Sequence, residues 1–92
     1  MATIHIDIPE PLRELAHGAA RVTASGATVG AALADLATRH QALAQRVLTR
    51  GGDMRPHVNL FLNNADVRAA QGLATRVQDG DELMVVASVA GG

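Results

Sequence analysis

Cysteine is absent from the chain, which excludes disulfides, thiolate metal sites and a cysteine nucleophile. Lysine is absent too. All 8 basic residues are arginine, at 13, 21, 39, 46, 50, 55, 68 and 76, scattered among 9 acids. With neither a basic run nor an aromatic stacking platform, nucleic-acid binding has no support. The lack of lysine also rules out isopeptide chains built on this protein's own side chains. Tryptophan and tyrosine are missing and Phe61 is the single aromatic residue, so the core must be built from Ile, Leu, Val and Ala. No apolar run approaches the roughly eighteen residues that a membrane span needs. The opening Met1-Ala2-Thr3-Ile4-His5 lacks the charged start and long apolar core of a signal peptide. A cytoplasmic domain that engages no membrane is the expectation.

What is present fits one small folded unit. The 92 residues are 48% hydrophobic with a net charge of −1, and a chain of this size buries roughly 60 to 65% of its unfolded surface. Thr3 to Ile8 alternates, with Ile4, Ile6 and Ile8 on one side and Thr3, His5 and Asp7 on the other, the pattern of a half-buried strand. Pro9 and Pro11 stop it, because proline cannot donate to a ladder. Leu12 to Leu15 reads as one helical turn, and Arg21 to Ala24 as a weaker strand ended by Ser25-Gly26, which makes an antiparallel pair with the first.

Thr28 is placed to cap a helix whose Val29, Ala32, Leu33, Leu36 and Ala37 recur at spacings of three and four. Asp35 and Arg39 form an i, i+4 pair on its other side. A second short helix through Leu43, Val47 and Leu48 follows, then a loop over 50–56. His57 to Leu62 returns to period two, with Val58, Leu60 and Leu62 inward and Asn59 and Phe61 outward. Asn63-Asn64 is a turn dipeptide leading into a short strand over 65–68. Residues 71–77 read as irregular chain around a single turn. Asp79-Gly80-Asp81 is a turn signal, and Leu83 to Ala87 is the last strand, with Met84 and Val86 on the face opposite Leu83 and Val85. Asp79 and Asp81 are read as solvated turn acids. The histidines at 5, 17, 40 and 57 have no metal-ligand spacing, so no metal and no bound cofactor are expected.

This order predicts a two-layer α+β domain, a ubiquitin-like β-grasp with a mixed sheet of about 4–5 strands and one main helix on one face. In such a sheet the first and last strands lie adjacent and parallel in the middle. The domain is expected to span 1–88, with 89–92 a flexible C-terminal tail. That tail, Val89-Ala90-Gly91-Gly92, ends in a diglycine that chance places at the end of about 1% of chains this rich in glycine. Without Cβ atoms, two glycines can follow a channel too narrow for other residues.

Asp79-Gly80-Asp81-Glu82-Leu83 followed by a strand and Val89-Ala90-Gly91-Gly92 resembles the terminal signature of the ubiquitin-like sulfur carriers of the ThiS/MoaD type. Val58 to Asn63, Asp66-Val67-Arg68, Gly72 to Thr75, Ile8-Pro9, Leu12-Arg13 and the stretch 22–36 are similar to the CysO-type carriers of cysteine biosynthesis. Two departures point away from other subgroups. Ala87-Ser88 stands where molybdopterin-synthase small subunits often carry prolines, and the region between the helix and Val58 is longer than in thiamine-pathway carriers.

The resemblance implies a carrier rather than an enzyme. A ubiquitin-activating-type adenylyltransferase would consume ATP to adenylate the Gly92 carboxylate, and a sulfur donor would displace AMP to leave a thiocarboxylate. The sulfur would pass to a synthase, for a CysO-like carrier a PLP-dependent cysteine synthase, with a metalloprotease releasing the product. Val89, Ala90 and Gly91 would thread into the partner. Docking would fall to His5, Phe61, Met84 and Val86 on the open face of the sheet, with Arg68 and Arg76 as further candidates to meet an acidic partner. The rival readings are the small subunit of molybdopterin synthase, a protein modifier that joins lysines on targets, and a non-covalent β-grasp interaction module.

Overall fold

The computed structural model describes residues 2–87, and the expected boundary at 88 and tail over 89–92 lie outside the described residues. Five strands form one mixed sheet: β1 (Ala2–Asp7), β2 (Arg21–Gly26), β3 (Val58–Leu62), β4 (Ala65–Asp66) and β5 (Glu82–Ala87), in the order β2-β1-β5-β3-β4. The outer pairs are antiparallel, whereas β1 and β5 run parallel at the centre. Two helices, α1 (Val29–Ala37) and α2 (Gln41–Val47), complete the second layer. This is the β-grasp arrangement expected from the chain.

The core follows the alternation of the strands. Ile4, Ile6, Val58, Leu60, Leu83 and Val85 turn toward α1 and α2, which contribute Val29, Leu33, Leu36, Leu43 and Val47, all at most 2% exposed. Aliphatic packing alone fills the interior. Phe61 lies on the far face, half-buried. Thr28 caps α1 as expected, its hydroxyl accepting the Ala31 N–H at 3.1 Å.

Three local boundaries differ from the expectation by more than a residue. β2 continues through Ser25-Gly26 instead of ending before them. Gly26 pairs with Ala2, and a Cβ there would stand 2.6 Å from the Ala32 nitrogen, so glycine lets the strand run under the first turn of α1. β4 stops at Asp66, because its carboxylate accepts the Arg68 N–H at 2.9 Å and turns the chain into a 3₁₀ segment, Val67–Ala69. The turn after Pro9 lengthens into a 3₁₀ segment over Glu10–Ala16, closed by His17 and Gly18 at positive φ. Residues 71–77 hold the single turn expected of them, a 3₁₀ segment over Gly72–Ala74, and then pair with the approach to α1 through Val77 N–H to Ala27 O at 3.2 Å.

Candidate functional site

The four tail residues named from the sequence, Val89, Ala90, Gly91 and Gly92, lie outside the described residues. What is described is the strand that leads to them and the surface beside it.

β5 is held at its start by the Asp79-Gly80-Asp81 turn. The Asp79 carboxylate accepts the Thr3 N–H at 2.7 Å, and Gly80 donates its N–H back to the Thr3 carbonyl at 2.9 Å. Gly80 does so at φ +85°, where a side chain would be strained. The Asp81 carboxylate takes the Gln78 N–H at 2.8 Å on one oxygen and the Asn63 amide at 3.0 Å on the other. Asn63 in turn accepts the Glu82 N–H at 3.0 Å. The two acids are therefore bonded turn residues rather than freely solvated ones. They tie the entry of β5 to β1 on one side and to the β3–β4 turn on the other.

From that origin β5 runs alongside β1 from His5↔Glu82 to Asp7↔Met84, and alongside β3 as far as Val58↔Ala87. β1 gives out at Ile8-Pro9, so the end of β5 is paired with β3. The strand thus delivers the chain to the end of the sheet where β3 begins.

On the sheet face away from the helices, β5 presents Met84 and Val86. They are 45% and 38% exposed, and among the described residues they are the large hydrophobic side chains most open to solvent. Phe61 is the cross-strand neighbour of Met84 and is half-buried. Together with Asp7, Asn63, Asn64 and Glu82, Phe61 and Met84 line an open depression. His5 is half-buried on the same face, paired with Glu82 and so one row removed from Met84. The four residues named from the sequence share one face, with Phe61, Met84 and Val86 as its apolar part and His5 at the polar margin.

The polar margin is organised by an arginine that sequence reasoning did not single out. Arg21 on β2 donates to the Asp7 carboxylate at 2.7 Å and reaches Glu82 on β5 at 3.2 Å, spanning three strands. The hydrogen bond to Asp7, followed by the charges of Asp7 and Glu82, raises the guanidinium above its ordinary value. The signal was present in the alternation, which places Asp7 and Glu82 on the outward face. The register that brings Arg21 to both is a property of the assembled sheet.

The remaining candidates lie at the edge of this face or away from it. Arg68 donates to Asn59 and to the Arg55 carbonyl, whereas Arg76 is exposed beside the lead-in to α1, bridged to Thr28. His17 and His40, far apart in sequence, bring their rings to 5.4 Å at a tilt of 54°. The buried Nδ1 of His40 has no hydrogen-bond partner among the described residues. Among those residues no group of three His, Cys, Asp or Glu side chains is placed to hold a metal ion.

Comparison with known proteins agrees with this architecture. A family model described as ThiS family matches residues 6–92. The sulfur carrier protein CysO of Mycobacterium tuberculosis is 36% identical over 91 residues, covering 97% of this chain and 98% of its own length. The crystal structure of the Amycolatopsis orientalis BexX/CysO complex contains a chain that superposes with a TM-score of 0.88 at 36% identity, covering 97% of this chain and 99% of that one. The small archaeal modifier protein SAMP1 of Methanosarcina acetivorans also gives a TM-score of 0.88, at 28% identity over 100% of this chain and 98% of that one.

Proposed function

Because this chain belongs to the ThiS family, we propose that it is a sulfur-carrier protein that works through a thiocarboxylate on Gly92, most directly in cysteine biosynthesis. The observation that carries the reading is similarity to a CysO carrier over 97% of the chain, together with a family match that runs through residue 92. The geometry supports it: a central strand pinned at its origin, with an apolar surface beside it, heads toward that terminus.

The chemistry assigns the chain the part of substrate. A carboxylate is a poor electrophile until one oxygen becomes a good leaving group. The Gly92 carboxylate attacks the α-phosphorus of ATP on an activating enzyme and pyrophosphate leaves. A sulfur nucleophile then attacks the acyl carbon of the resulting mixed anhydride, and AMP departs. No phosphate-cradling glycine loop with its lysine occurs in this chain, so the nucleotide belongs to the partner. Residues 88–92, drawn out fully, reach about 16 Å at roughly 3.3 Å per residue, enough to carry the carboxylate into a recessed site. The Met84, Val86 and Phe61 surface supplies the affinity that two glycines lack. The acceptor in this reading is a PLP-dependent synthase, and a metalloprotease frees the product from the Gly92 end.

A second reading, a protein modifier that joins lysines on targets, is favoured by the likeness to the archaeal modifier. It shares the adenylation step and differs in the final nucleophile. Intact-mass analysis of protein isolated from its host separates the two. A fraction heavier by one oxygen-to-sulfur exchange supports the carrier, whereas adducts linked through Gly92 to target lysines support the modifier. A uniformly unmodified terminus, even after incubation with activating enzyme, ATP and sulfide, would leave a non-covalent interaction module as the better account.

A further inference from the structure

Arg68 is held by two neutral acceptors, where Arg13 and Arg55 each meet one backbone carbonyl. The Asp66 carboxylate caps its backbone N–H and sets the turn that follows β4. Its guanidinium then donates from Nη1 to the side-chain oxygen of Asn59 and from Nη2 to the carbonyl of Arg55 at 3.0 Å. Both acceptors are neutral. The ion pairs among the described residues use Arg21 and Arg39, and Arg68 enters none of them. A guanidinium offers five N–H donors and a full charge. Here two donors orient the group while no carboxylate among the described residues pairs with it, and the residue remains exposed.

Its location gives that charge a use. Asn59, to which it is bonded, is the cross-strand neighbour of Val86. The oriented cation therefore stands at the edge of the exposed Met84 and Val86 surface, beside the strand that leads to Gly92. Interfaces typically surround an apolar centre with a charged rim that fixes register and accelerates encounter.

We propose that Arg68 is an anchor for a carboxylate side chain, Asp or Glu, of the enzyme that activates Gly92, which it meets at the rim of the Met84 and Val86 docking surface. This inference rests on the carrier reading above. A guanidinium whose plane is already set matches a carboxylate with little further loss of freedom. With the tail drawn out into a recessed site, the reacting phosphorus would stand about 16 Å beyond Ala87, out of reach of Arg68, so the anion that it meets is a side chain.

The test is the steady-state kinetics of thiocarboxylate formation by the activating enzyme with ATP and sulfide, followed by intact mass. Wild type is compared with Arg68→Gln, Arg68→Lys and Arg76→Gln, all first shown by thermal melting to be folded. At low ionic strength Arg68→Gln should raise KM for the carrier roughly tenfold, the worth of one charge-assisted hydrogen bond, with kcat little changed. Arg68→Lys, which keeps the charge but not the fixed fork, should recover part of that loss, and Arg76→Gln should behave as wild type. In about 1 M salt, where the Debye length is about 3 Å, the gap between wild type and Arg68→Gln should shrink to within about twofold. A wild-type KM for Arg68→Gln at low salt overturns the anchor. So does equal, salt-independent impairment of the Gln and Lys variants, which marks a clamp on Asn59 and the Arg55 carbonyl alone. Absence of charging in wild type sinks the carrier reading and the anchor with it, an outcome distinct from wild type and Arg68→Gln being charged alike.

Discussion

The Asp35 carboxylate on α1 accepts the backbone N–H of Ser25 on β2 at 2.8 Å, and Arg39 one turn later donates to the carbonyl of Thr23 at 2.6 Å. β2 is an edge strand of the sheet, and these are groups on its outer side that would otherwise invite another strand. The helix closes the edge with its own side chains, one means by which natural sheets prevent edge-to-edge association.

Acid should open this closure. The Ser25 N–H, with the Arg39 charge assisting, holds the Asp35 carboxyl below its ordinary value despite some desolvation. A carboxylate lowered in the folded state adds stability that is complete above its unfolded value and lost as pH falls through the lower folded one. In urea titrations, wild type should therefore exceed Asp35→Ala in stability near pH 7, and the difference should close below roughly pH 4. A pH-independent difference would assign the effect to packing alone.

Gly26→Ala should destabilise the domain by about 1–3 kcal/mol, as overpacking does. The added Cβ meets backbone of α1 at 2.6 Å and 2.7 Å, where no rotamer change brings relief. Gly51→Ala is the control, since its nearest neighbour is the Thr49 hydroxyl at 3.9 Å, and its chemical denaturation midpoint should match wild type closely. Equal stability for both variants would mean that α1 shifts freely over β2.

The two asparagines of the β3–β4 turn, at φ 51° and 73°, should separate under the same substitution. Asn64→Gly relieves a left-handed conformation and should be neutral or slightly stabilising. Asn63→Gly also gains that freedom but loses the bonds to Asp81 and Glu82, and should cost about 1 kcal/mol net. Thermal melts of the pair check this, and a ranking in the opposite order would remove Asn63 from the support of β5.

Docking and tail chemistry should fail in different ways. Met84→Asp, at a position 45% exposed, should leave stability within about 0.5 kcal/mol of wild type and raise KM for charging by the activating enzyme. Gly92→Ala should bind that enzyme with wild-type affinity yet accumulate no thiocarboxylate by intact mass. Normal charging of Gly92→Ala would overturn the threading role of the diglycine, and an unchanged KM for Met84→Asp would remove Met84 from the docking surface.

Much of this architecture was legible because the signals are local. The alternation of Ile4, Ile6 and Ile8, the spacing of Val29 to Leu36 and the dipeptide Asn63-Asn64 each report on their own few residues. The face shared by Phe61, Met84 and Val86 was legible for the same reason, since period two assigns sides before any partner is known. What escaped notice depends on register or on long reach. Arg21 finds Asp7 and Glu82 only after three strands are aligned, and the rings of His17 and His40 meet only after the turn following β1 folds back on α2. Asp35 and Arg39 read as a surface pair along the helix, when their main partners are the backbone of β2. Arg68 was legible as a candidate to meet an acidic partner, whereas its anchorage on Asn59 and the Arg55 carbonyl needs segments that only the fold brings together.

The central place of β5 has a consequence for how the molecule is made. β1, made well before β5, has to wait for residues 82–87 before its inner edge is paired. Contacts across so wide a sequence separation are slow to form, since the loop that they close is long. A nascent chain halted before Glu82 exposes the edges of both β1 and β3, prey to proteases and to aggregation. Folding is thereby coupled to synthesis of residues 82–87: the strand that completes the sheet lies late in the sequence, so chains that reach the folded state have been translated at least through β5.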